Sequence, residues 1–97
     1  MKRKTIYRVP YKRDYKRVYR GIHHRVLEEN GLLDAVIESL ANDIRLPLSY
    51  KDHALHGNWE GKRECHIRPD LLLVYTYEGD DVLILERLGS HAEIFGL

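Results

Sequence analysis

A two-layer α+β domain is the fold this sequence predicts, on three observations. A β-branched and aromatic run near the start closes on a proline, two apolar stripes of helical period follow it, and three alternating segments separated by turn residues fill the second half. With 97 residues the chain can bury one modest core and not a second, so a single domain over 1–97 is expected. The first element is residues 5–9, whose Thr5, Ile6, Tyr7 and Val9 suit a strand that Pro10 ends. From there Tyr11, Tyr15, Val18, Tyr19, Ile22 and Val26 recur at helical spacing, predicting an amphipathic helix over 11–28 that Gly21 weakens. The pair Asn30-Gly31 supplies a left-handed stop. A second stripe, Leu33, Val36, Ile37, Leu40, Ala41 and Ile44, predicts a helix over 31–45 that ends before Pro47 and forms a hairpin with the first.

Residues 45–61 show neither period, and Pro47, Gly57 and Gly61 punctuate them, so they read as a long loop. Strands are expected over about 62–68, 71–77 and 82–88. The connectors between them, Pro69-Asp70 and Glu78-Gly79-Asp80-Asp81, are too short for anything but antiparallel hairpins, giving a meander and a four-stranded, mainly antiparallel sheet with both helices on one face. Ser90 and Glu93 have the spacing of a capping box and predict a short C-terminal helical turn.

Composition narrows the function classes. Hydrophobic residues at 43% against 32% charged residues describe an ordinary globular protein rather than a disordered one. No apolar run approaches the roughly 20 residues of a membrane span, and the basic start has no apolar core behind it, so a cytoplasmic protein without a membrane partner is expected. The lone Cys65 can form no internal disulfide, which suits a reducing compartment. Net charge is only +1, but residues 1–25 hold ten Lys or Arg against the single acid Asp14, leaving about −8 on the remainder. Such a chain can lay a basic helix on a phosphate backbone while its acidic remainder limits nonspecific adhesion.

Four ionisable residues fall at predicted element edges, where sites collect: His53 in the loop, His66 on a strand, Asp70 at a hairpin corner and His91 after the last strand. Alternation puts Cys65 and Ile67 on one face, with Glu64, His66 and Arg68 on the other. On the last strand Leu83, Leu85 and Arg87 are expected to share a face, so that Arg87 could hold an anionic substrate beside His91. Trp59 and Phe95 serve either as hydrophobic cover or as platforms for a base. Cys65 on an apolar face reads as core.

One long string carries a specific resemblance: Leu46-Pro47-Leu48, Tyr50-Lys51-Asp52-His53, Leu55-His56-Gly57-Asn58-Trp59-Glu60-Gly61 and Arg63-Glu64-Cys65-His66-Ile67-Arg68-Pro69-Asp70. It continues through Leu73-Val74-Tyr75, Glu86-Arg87-Leu88-Gly89-Ser90-His91 and Phe95-Gly96, about half the chain. In these residues the sequence closely resembles the YafQ branch of the RelE-like toxins. The resemblance implies a RelE-like fold and the toxin of a type II toxin–antitoxin system. It implies a ribosome-dependent endoribonuclease that cuts mRNA in the decoding site, against rRNA, and is silenced by a cognate antitoxin. Carried over by position, His53, His66, Asp70 and His91 match the family's active-site residues, Arg87 an arginine of the motif, taken with them as catalytic, and Phe95 an aromatic near the substrate. Trp59, Lys51 and Arg68 join Phe95 as expected substrate-binding residues. Leu71 stands where the family often has tryptophan, and the near-neutral net charge departs from toxins that are commonly basic.

The expected chemistry is cofactor-free and metal-free. RNA supplies its own nucleophile in the 2′-hydroxyl, so the enzyme needs a base, an acid for the 5′-oxygen, and cations on the phosphoryl oxygens. His91 is the expected acid, Asp70 with His66 the base, and Arg87 with His53 the transition-state stabilisers. Two alternatives stand beside it. A metal-dependent hydrolase has enough histidines but no short ligand motif, and a noncatalytic RNA-binding module would use the basic helix with aromatic platforms.

Overall fold

The computed structural model of the chain describes residues 2–29 and 31–96. The first strand, β1 (Lys4–Tyr7), is followed directly by helix α1 (Val9–Tyr19) with Pro10 in its first turn, where the missing N–H costs nothing. A 3-10 turn covers His24–Leu27, and α2 runs over Leu32–Ala41. Strand β2 (His53–Ala54) interrupts the long loop, which also holds 3-10 turns at Leu48–Tyr50 and Gly57–Trp59. Then come β3 (Arg63–Arg68), β4 (Leu71–Glu78), β5 (Val82–Gly89) and α3 (His91–Phe95).

The α+β class, the helical hairpin, the meander and the final helical turn are as expected, but the sheet has five strands, ordered β1-β5-β4-β3-β2. Strand β1 joins it parallel to β5, and every other pairing is antiparallel. The fifth strand is a two-residue edge piece, His53 opposite Glu64 and Ala54 opposite Arg63, too short to leave a periodic signal.

Both helices are shorter than their stripes. α1 stops at Tyr19, itself exposed, and beyond it Ile22 is exposed by 86%, while Val26 is buried again within the 3-10 turn. Ile22 is therefore not a core residue: once the helix ends before Gly21, the helical step that would have put Ile22 under Val18 is lost. Gly31, expected as a left-handed stop, is extended with φ −78°, and Asn30 lies outside the described residues. A Cβ on Gly31 would meet the Glu28 carbonyl oxygen at 2.8 Å, so close backbone approach is what this glycine permits. α2 ends at Ala41, leaving Ile44 exposed.

The two faces of the sheet are unequal. Against the helices lies the main core, where Tyr11, Val18, Leu33, Val36 and Leu40 pack on Cys65, Ile67, Leu73, Tyr75, Leu83, Leu85 and Leu88. On the opposite face Leu72, Val74 and Ile94 form a small cluster that Leu55, Trp59 and Phe95 partly cover. A register shift between Val74 and Tyr75 places Val74 opposite Arg87 but Tyr75 opposite Leu85, so Glu86 is the extra residue of a bulge. Hence Leu88, not Arg87, follows Leu83 and Leu85 into the main core, which corrects the expected common face.

Candidate active site

The second face of the sheet brings three of the predicted histidines together around a residue that had no assigned role. Glu64, central in β3, is 2% exposed. Its Oε1 lies 3.2 Å from His91 Nε2 and 3.8 Å from His66 Nε2, and its Oε2 lies 3.6 Å from His53 Nε2. These approaches are ion-pair contacts and not aligned hydrogen bonds, since Oε1 is buried without a hydrogen-bonded donor. The His66 and His91 rings stand edge-on at 5.9 Å, and His91 leans on Phe95 at 5.7 Å. Phe95 in turn meets Trp59 edge-to-face at 5.0 Å, so this aromatic pair floors the site and seals the small cluster below it.

Each imidazole is placed by a different element. His66 is on β3, one alternation step from Glu64, as the period-two pattern requires. His53 reaches Glu64 because β2 pairs the two residues, and Asp52 ties this edge strand down: Tyr75 Oη donates to Asp52 Oδ2 at 2.5 Å and Arg63 Nε to Oδ1 at 3.1 Å. The His53 Nδ1 lies 2.6 Å from the Lys51 carbonyl, an oxygen that can only accept, so Nδ1 carries a proton and Nε2 is the atom turned to Glu64. Lys51 offers that carbonyl from a left-handed conformation, φ 51°.

His91 opens α3, whose capping box is complete: Ser90 Oγ accepts from Glu93 N at 3.1 Å, and Ser90 N donates to Glu93 Oε1 at 2.9 Å. The helix is fastened to α1 through Asp14, a 2% exposed carboxylate. Asp14 accepts from Arg87 Nε at 2.7 Å and Nη2 at 3.2 Å, from Arg17 Nη1 at 3.0 Å and from Leu88 N at 2.9 Å. Arg87 then donates at 3.4 and 3.5 Å to the Glu93 and Ile94 carbonyls at the C-terminal end of α3. Arg17 donates to the Leu88 carbonyl and pairs with Glu93. The close Asp14 partner holds the Arg87 guanidinium above its ordinary pKa. Arg87 is thus engaged with Asp14 and α3, away from the imidazole trio.

Asp70 is also outside that trio. It sits exposed at the β3–β4 corner with Oδ1 2.8 Å from His23 Nε2, and that imidazole holds its carboxyl below the usual carboxylate range. It lines a crevice of about 390 Å³ with His23, Leu71, Glu93 and Ser90, the residue just before His91. Lys51 and Arg68 line a neighbouring crevice of about 310 Å³ together with His66, Tyr50 and Pro69. The roomier crevices, about 490 and 510 Å³, lie along the β1–α2 and 43–52 sides and are lined by no histidine. Cys65 is fully buried on the other face, where burial pushes its thiol up to about 12, so it is not a nucleophile.

Sequence reasoning missed Glu64, Asp14 and His23. Glu64 was legible in part, since it shares the predicted face of His66. Among the described residues no three His, Cys, Asp or Glu side chains are disposed around a common metal position.

Comparison with known proteins follows the same lines. A family model described as the bacterial toxin of type II toxin–antitoxin system, YafQ, matches residues 3–96. The mRNA interferase toxin YafQ of Escherichia coli K12 is 35% identical over 88 residues, 91% of this chain and 95% of its own length. Among solved structures, the crystal structure of the E. coli DinJ–YafQ toxin–antitoxin complex superposes with a TM-score of 0.78 at 34% identity, covering 99% of this chain and 100% of the other. A metal-bound toxin from Helicobacter pylori superposes with a TM-score of 0.82 at 36% identity, covering 98% and 100%.

Proposed function

The chain belongs to the YafQ toxins of bacterial type II toxin–antitoxin systems, and from that premise we propose that it is a metal-independent mRNA interferase acting on the ribosome in the cytoplasm. The observation that carries the chemistry is the convergence of His53, His66 and His91 on buried Glu64 beside crevices lined by Asp70, Lys51 and Arg68. Imidazoles move protons near neutral pH, and a buried carboxylate among them fixes their orientation. The substrate 2′-hydroxyl attacks the adjacent phosphorus, Asp70 with His66 accepts its proton, and His91 gives a proton to the departing 5′-oxygen. A 2′,3′-cyclic phosphate and a 5′-hydroxyl result. His53, Lys51 and Arg68 supply positive charge around the phosphoryl oxygens, and Phe95 with Trp59 offers an aromatic edge for a base. Arg87 serves by holding α3, and with it His91, in place.

The decisive experiment is cleavage of a defined mRNA on programmed ribosomes, with and without a transition-metal chelator that spares magnesium. Persistent cleavage with a cyclic or 3′-phosphate end supports acid–base chemistry. A second reading, metal-assisted hydrolysis, is favoured by the H. pylori toxin, which is metal-bound, and it would show as chelator-sensitive cleavage with a 3′-hydroxyl end. No cleavage under either condition would leave a noncatalytic RNA-binding module. The proposed restraint is a cognate antitoxin, as the DinJ–YafQ complex has for its toxin, and coexpression of the adjacent gene product is expected to rescue growth.

A further inference from the structure

Asp70 is held by a residue from a distant part of the chain. His23 lies in the turn between α1 and the 3-10 turn at His24–Leu27, 24% exposed, while the Asp70 side chain is 63% exposed. The His23 Nε2 is buried and makes no aligned hydrogen bond, and the oxygen it faces is Asp70 Oδ1 at 2.8 Å. The other charged groups lining the crevice are Arg17 from α1 and Glu93 from α3, and these already satisfy one another at 2.8 Å. Arg17 also pairs with Asp14, and Glu93 also accepts from Ser90 N. What remains for the exposed corner carboxylate is the imidazole, set on a segment whose neighbour Val26 is anchored in the core.

We propose that His23 is a positioning residue for Asp70, orienting its carboxylate in the crevice that Ser90 also lines so that it can accept the 2′-hydroxyl proton. The proposal rests on Asp70 acting as base. His23 itself does not touch the substrate; it removes the rotational freedom of an exposed side chain, and its nearness lowers the pKa of the Asp70 carboxyl.

The test is single-turnover cleavage of ribosome-bound mRNA across pH for the wild type, H23A, H23Q, D70N and H23A/D70N, with the Asp70 carboxyl followed by carbon NMR. H23A is expected to slow cleavage by about tenfold or more with KM nearly unchanged. The Asp70 titration should move upward toward the ordinary carboxylate range. H23Q, whose amide nitrogen can stand where Nε2 stands, should recover most of the rate, and H23A should have no further effect in the D70N background. If D70N slows cleavage but H23A and H23Q do not, His23 has no such role while the base assignment stands. If D70N cleaves at the wild-type rate, the base assignment fails and the proposal with it. Equal losses from H23A in the wild-type and D70N backgrounds would mean a packing role only, and if H23A does not fold, the H23Q rate and Asp70 titration decide.

Discussion

At the residue scale the side chain that organises the site is Glu64, since three imidazoles from three elements meet its buried carboxylate. Glu64→Gln keeps the shape and removes the carboxylate, so it should fold, yet lower cleavage by about a hundredfold if the carboxylate orients the imidazoles. Circular dichroism with single-turnover kinetics checks both halves, and an unchanged rate would mean that Glu64 only fills space. Ile22→Ala, at a residue that helical periodicity placed in the core, should change stability by no more than about 0.5 kcal/mol because Ile22 is 86% exposed. Leu33→Ala, at 1% exposure, should cost about 2–5 kcal/mol in a urea titration. The histidines were legible because imidazoles clustered at element edges are conspicuous in a string of letters. Glu64 was legible only in its face, shared with His66, and not in its role, because an acid on a strand looks like a solvent-facing residue until the β2 edge and α3 cover that face. His23 and Asp14 were hidden for another reason: each finds its partner roughly fifty to seventy residues away, a distance no local pattern spans.

At the element scale, α3 is a short helix whose position depends on its fastenings. A five-residue helix has little stability of its own, and here the capping box closes its start while Arg87, held by Asp14, donates to its last carbonyls. Gly89 belongs to the same joint, since a Cβ there would come within 2.7 Å of Arg17 Nη2 and 3.0 Å of Glu93 Oε1. Ser90→Ala should therefore cost about 1 kcal/mol of stability. The rate should fall by more than that loss implies, because His91 would leave its place opposite Glu64 in partly frayed molecules. Thermal melts beside cleavage rates separate the two, and a rate unchanged from wild type would show that α3 keeps its geometry without the cap. The meander and α3 were readable from alternation and capping spacing. The Glu86 bulge was not, and it is the bulge that turns Arg87 away from the Leu83–Leu85 face; the two-residue β2 likewise owes its form to pairing with β3 and not to its own sequence.

At the scale of the whole molecule, the charge separation along the chain is partly undone by folding. Lys2 pairs with Glu38, Arg3 with Asp43, Arg8 with Glu86 and Arg17 with Glu93, so much of the N-terminal excess is matched by the acidic remainder. Lys12, Arg13, Lys16 and Arg20 stay exposed along α1, which packs on the helical side of the sheet while the imidazoles lie on the other. On the proposed reading one surface would grip phosphates while another reaches the scissile bond, and affinity for structured RNA should carry the salt dependence of released counterions. For a duplex contact, log K falls by about 0.9 per neutralised phosphate for each unit of log salt. Replacing Lys12, Arg13, Lys16 and Arg20 together by Gln should flatten that slope for ribosome binding by up to about 3.6 while leaving the melting temperature near that of the wild type, since none of the four is buried. Cleavage measured at saturating ribosomes should survive, because the substitutions leave the Glu64 site intact. A slope that does not change across a salt series would place the ribosome contact on another surface, and a loss of cleavage at saturation would mean that α1 orients the bound mRNA as well as holding the ribosome.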